Sequence, residues 1–163
     1  MRITLPTALA AAALLLAGCT AAPETAPDTA PEPAPAPAEA CPYLVAQWLA
    51  EANGQRVTRV GVDDKFDTPA CQFWSYGEQP QLTVLVRHMP TPEEAMAVVD
   101  WAAPVATTNP ASQPAGWNGG RGGAEGAVYS VAKRPVAVSV WSDQQESVKA
   151  QVVAEQVIAT LGL

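Results

Sequence analysis

Residues 41–163 predict an α+β fold, a mostly antiparallel five-stranded sheet covered by helices in the order α-β-β-β-α-β-β-α. Three observations carry this expectation. Apolar residues recur with helical spacing in three segments and with the two-residue alternation of strands in five. The first three strands are joined by links of a few residues, too short for a parallel crossover of a dozen or more. The 123 residues involved are enough to bury a core between layers.

Taken in order, Pro42 to Ala52 reads as a helix with Leu44, Val45, Trp48, Leu49 and Ala52 on one face. Asn53-Gly54 ends it, glycine suiting the left-handed residue after a helix. Arg56 to Val62, Ala70 to Tyr76 and Gln81 to Met89 read as strands separated by the turn residues Asp67-Thr68-Pro69 and Gly77-Glu78-Gln79-Pro80. In the third strand Leu82, Val84 and Val86 share one face, and Thr83, Leu85 and Arg87 the other. Thr91-Pro92-Glu93-Glu94 starts the second helix with a capping hydroxyl and a proline at the first helical position. Ala95, Val98, Val99 and Ala102 follow with helical spacing, and Pro104 stops it. Ala127 to Ala132 and Val136 to Trp141 form a hairpin through Lys133-Arg134-Pro135, and the last helix starts near Ser142-Asp143 with Ala150, Val153, Ala154, Val157, Ile158 and Leu161 as its apolar stripe.

Between these elements, residues 103–126 read as a loop with three prolines and six glycines. That is longer than the ~12–15 residues beyond which loops tend to be functional. Trp117 and Arg121 are its candidate binding residues. Two readings of Trp117 stand side by side: its ring stacks on a sugar or a partner, or it folds back over the open edge of the core. Gly119-Gly120-Arg121-Gly122-Gly123 has neither the spacing nor the following helix of a phosphate cradle. The other four tryptophans are expected to pack.

The amino terminus carries an address. Met1-Arg2 precedes a mainly apolar run from Ile3 to Leu16, too short for a comfortable membrane span and suited to a signal peptide over residues 1–18. Leu16-Ala17-Gly18-Cys19 resembles the bacterial lipobox. The resemblance implies cleavage before Cys19 and its attachment to diacylglycerol, with further acylation such as palmitate. Two acyl chains would hold the protein at a membrane where one is marginal. From Thr20 to Ala40 there are six prolines and four acids without a base or large apolar side chain. This lipidated stretch, residues 19–40, reads as a disordered tether with polyproline character, spanning up to roughly 65 Å. The expected location is the outer face of the cytoplasmic membrane, in the cell envelope.

Composition narrows the chemistry. The whole chain has 9 basic and 16 acidic residues, a net charge of −7, which disfavours nucleic acid as a partner. One histidine and three cysteines exclude multi-histidine and four-cysteine metal centres, and no metal or cofactor is expected. His88 is the only imidazole available for acid–base work, and no Gly-x-Ser-x-Gly elbow exists to provide a serine nucleophile. Asp63-Asp64-Lys65-Phe66-Asp67 clusters carboxylates but lacks the order of a calcium loop and reads as a solvated turn. With Cys19 lipidated, Cys41 and Cys71 are the remaining thiols of an exported domain. They are expected to form a disulfide, the alternative being two reduced, buried cysteines.

Several strings occur in a familiar order: Cys41-Pro42-Tyr43-Leu44, Asn53-Gly54-Gln55-Arg56-Val57, Pro69-Ala70-Cys71-x-Phe73, Gly116-Trp117-x-Gly119-Gly120, Val131-Ala132-Lys133, and Gln144-Gln145 to Lys149-Ala150. They resemble an uncharacterised actinobacterial lipoprotein family, domain of unknown function twenty-twenty. The resemblance spans residues 41–163 and implies a Mog1/PsbP-like α/β/α sandwich, without a catalytic motif. The expected function is a lipid-anchored, non-enzymatic binding or accessory domain with an envelope protein or glycan as partner. The alternatives are an envelope-acting hydrolase or transferase using His88 and an aspartate, and a carrier of an apolar ligand.

Overall fold

Side-chain alternation in strand β3 (Leu82–His88) sets the layout of the molecule: Leu82, Val84 and Val86 are buried on one face, while Thr83, Leu85 and Arg87 are half-buried on the other. A computed structural model describes residues 39–123 and 126–163. The expected signal peptide, Cys19 and the tether as far as residue 38 lie outside the described residues. Around β3 stand β1 (Arg59–Asp63), β2 (Ala70–Trp74), β4 (Thr108–Ala111), β5 (Asn118–Gly122), β6 (Ala127–Lys133) and β7 (Val136–Ser142). They make one sheet in the order β1-β2-β3-β7-β6-β5-β4, every pairing antiparallel. The helices are α1 (Ala46–Asn53), α2 (Pro92–Ala102) and α3 (Ser147–Leu161).

The sheet therefore has seven strands where five are expected from patterning, and the two additional ones come from the segment read as a loop. β4 contains Pro110 and β5 reads Asn-Gly-Gly-Arg-Gly, compositions that strand propensity disfavours. Close approach explains the glycines. A Cβ on Gly120 would stand 2.8 Å from Thr108 Oγ1 and 2.9 Å from the Cβ of Ala103, and one on Gly119 would run into the backbone of β6. Only residues without a side chain fit at these two positions.

One face of the sheet packs on α1 and α3 and holds the larger core, with Phe73, Val84, Val131, Val138, Val140, Val153 and Val157. The other receives α2 over small residues: Ala95 and Val99 meet Ala132 and Ala137. Beneath α2 the buried hydroxyls of Ser130 and Ser139 lie 2.7 Å apart and satisfy each other. Thr91 caps α2, its hydroxyl accepting from the Glu94 N–H at 3.2 Å, and Gly54, with φ of 72°, closes α1. Both core layers and the disulfide lie within residues 39–163, the attributes of a part that folds by itself.

Two helix boundaries differ from expectation. Residues 42–45 precede α1, with Tyr43 and Leu44 buried as part of the core. α3 begins at Ser147, because Ser142 pairs with both Leu82 and Ala127 and is still in the sheet. No helix among the described residues is long and apolar enough to cross a membrane.

Candidate functional site

α2 packs over β5, β6 and β7 and meets only the border of β3. Among the described residues no helix covers the same face of β1, β2 and β3. On that face lie Arg59 and Gly61 of β1, Trp74 of β2, and Thr83, Leu85 and Arg87 of β3. Trp74 lies across Gly61, where a Cβ would come within 3.0 Å of the ring, and the Arg59 guanidinium stacks on it at 4.0 Å.

Where this open half meets α2, Phe66, Leu85, Met89, Ala97, Val98 and Trp101 line a groove of about 460 Å³, with Arg87 and Glu94 as the charged residues of its wall among those described. Trp101 is 70% exposed, its ring edge-on to that of Trp141 with centroids 5.8 Å apart. The Arg87 guanidinium lies 4.6 Å over the Phe66 ring, and among the described residues it makes no ion pair. Volume and apolar lining match those of ligand sites.

A second, polar pocket of about 130 Å³ adjoins the groove and shares Phe66 and Arg87 with it; Lys65, Asp67, Thr68, Val86 and His88 complete the described wall. Lys65 pairs weakly with Asp63 at 3.8 Å, both exposed, and the Lys65 N–H donates to Asp63 Oδ1 at 3.1 Å. The acidic string is thus a turn that delivers Phe66 to the groove. His88 ends β3, exposed, opposite Val136. Its pocket contains a carboxylate and a hydroxyl, but no hydrogen bond joins the ring to either among the described residues.

The residues singled out from sequence fall elsewhere. Cys41 and Cys71 form a disulfide with Cα atoms 5.8 Å apart, behind the groove on the α1–α3 side. Trp117 is 2% exposed and belongs to the larger core, with the Lys133 ammonium 5.6 Å from its ring, so it folds back onto the core and presents no ring to a ligand. Arg121 fastens β5 to α3: its Nε donates to Ser147 Oγ at 3.0 Å and its Nη1 to Gln151 Oε1 at 2.7 Å. The candidate binding loop is instead a piece of sheet, and its two residues serve packing. Cys19 lies outside the described residues.

Another polar constellation unites distant strings. Buried Asn53 donates to Gln81 Oε1 at 3.1 Å, while Gln144 Nε2 and Lys149 Nζ donate to the Asn53 carbonyl at 2.8 and 2.7 Å. This network ties the end of α1 to the start of α3 and is occupied by its own bonds.

Sequence patterning does not single out the groove, because its residues come from a turn, a strand and a helix that are remote in the chain. Trp101 was expected to pack like the other tryptophans, and its exposure corrects that. The available signals were Ala97 and Trp101, apolar yet off the stripe of α2, and Leu85 on the face of β3 opposite the core.

A family model described as domain of unknown function (DUF2020) matches residues 25–163. No curated protein matches the chain.

Proposed function

The chain belongs to the DUF2020 family, and from that premise we propose that it is an exported, lipid-anchored envelope protein whose folded domain binds a ligand in the groove between α2 and the open half of the sheet. One observation carries the reading: a 70% exposed tryptophan on α2 beside Phe66, Leu85, Met89 and Val98, at the border of a sheet face that no helix covers among the described residues. Exposing a large aromatic ring beside apolar neighbours costs solvation free energy, and a ligand that covers it recovers that cost. The anchor is read from Leu16-Ala17-Gly18-Cys19 behind the apolar run, and it would hold the groove near a membrane surface. The domain does no covalent chemistry in this reading: His88 stands on the polar pocket with no hydrogen bond to Asp67 or Thr68.

A photo-crosslinking amino acid at Ala97, on the groove's lip, tests the reading in cells. Adducts are expected from position 97, strongly reduced by Trp101→Ala, and not from a control at Glu51 on α1. Equal adducts at 97 and 51, or adducts indifferent to Trp101→Ala, would refute it.

A further inference from the structure

We propose that the groove and the polar pocket beside it together hold a single-chain anionic amphiphile, a medium-chain carboxylate, with its hydrocarbon against Phe66, Leu85, Val98 and Trp101 and its head at Arg87. This rests on the groove being the binding site and names what it takes.

The two cavities differ in character and share a wall. The groove is almost wholly apolar; the pocket is walled by Lys65, Asp67, Thr68, Arg87 and His88, and Phe66 and Arg87 belong to both. A ligand filling both must be apolar along one part and polar at its end. Charge complementarity sets the sign of that end. Arg87 is half-buried, stacked on Phe66, and without an ion pair among the described residues. A stacked guanidinium keeps its in-plane donors available, and their fork matches the two oxygens of a carboxylate. Asp67 opposes an anion here, while Lys65 and Arg87 favour one, and Lys65 already has Asp63 at 3.8 Å.

Size narrows the head. A pocket of about 130 Å³ compares with ~30 Å³ for one water molecule, which gives room for a carboxylate and a few waters. Glu94, exposed on the α2 lip, disfavours a second negative group along the ligand. At 1.5 Å per residue, the α2 wall from Glu94 to Trp101 is about 10 Å long, a match for a medium-length alkyl chain lying in an open trough.

Calorimetric titration of residues 39–163 with decanoate, and with decanol as the uncharged partner of equal length, decides the matter. Decanoate is expected to bind with one-to-one saturation and decanol about tenfold or more weakly, the worth of a charge-assisted contact. Arg87→Gln should bring decanoate to the level of decanol, Arg87→Lys should retain part of the preference, and Trp101→Ala, at an exposed position, should weaken both ligands. Absence of saturable decanoate binding, or an Arg87→Gln variant that binds decanoate as well as the parent, would overturn the proposal. If decanoate fails while the Ala97 crosslinker still traps a Trp101-dependent adduct, the carboxylate assignment falls and the groove remains the binding site.

Discussion

Tyr43 shows how one side chain links burial to pH. It is buried beside the disulfide, its hydroxyl donating to the Pro69 carbonyl at 2.7 Å, and desolvation pushes its phenol well above the ordinary 10.0. Burial pushes the Tyr129 phenol up as well, against the opposing hydrogen bond with Gln113. The sign follows from linkage: a raised folded-state value means that the unfolded chain loses its proton first. Tyrosine burial therefore contributes full stability below pH about 10 and loses it as pH rises beyond that value. Urea midpoints measured from pH 8 to 11 are expected to fall above pH 10, and Tyr43→Phe should flatten that fall. An unchanged slope in Tyr43→Phe would assign the alkaline loss to other groups. At the same scale, Arg121 and Trp117 show why a residue type does not reveal its role. A tryptophan and an arginine in a glycine-rich stretch fit a binding loop or a packed edge equally well, and the choice depends on whether α3 supplies Ser147 and Gln151 within reach.

Elements are held by fasteners that join remote parts of the chain. The Cys41–Cys71 bond links the segment before α1 to β2 across a separation of thirty residues, for which chain entropy gives about 3–4 kcal/mol. The Cys41→Ala/Cys71→Ala double variant is expected to melt roughly 10 °C lower than the parent. Native protein denatured without reductant should show neither thiol, and a melting temperature that ignores the double substitution would mean that the core alone holds the leading edge. Nearby, Glu39 Oε2 accepts from the Val62 N–H at 2.9 Å, so the chain just before the disulfide already engages the border strand β1. This occupies one of the N–H groups that an edge strand otherwise offers to other chains. The opposite border, β4, carries Pro110, which removes a donor.

For the molecule as a whole, asymmetry is the main property. Among the described residues three helices cover a seven-stranded sheet unequally, two on one face and one on the other, and the half-face that they leave is where the aromatic groove forms. A lipid anchor at Cys19, followed by a proline-rich stretch, would let this face work close to a membrane without being part of it. Intact-mass measurement of the mature chain from its native envelope is expected to show a diacylglycerol-modified Cys19 as the first residue. Cys19→Ala should abolish both the modification and the cleavage before it. An unmodified Cys19 in the mature chain would remove the anchor and leave the groove reading untouched.

Amino-acid sequence alone determined the α+β class, the five strands with β-branched patterning, the capped start of α2 and the cysteine pair, because each rests on local periodicity, on a few adjacent residues or on elimination. The family relation was legible in ordered short strings for the same reason. Tertiary structure decided the rest. β4 and β5 are strands because neighbours need a backbone without side chains at Gly119 and Gly120, a demand invisible to propensity. The groove exists because α2 settles on the alanines and serines of β6 and β7 and meets only the border of β3. That offset brings Phe66, Leu85 and Trp101 together from separate elements, and no local pattern encodes where one helix comes to rest on a sheet.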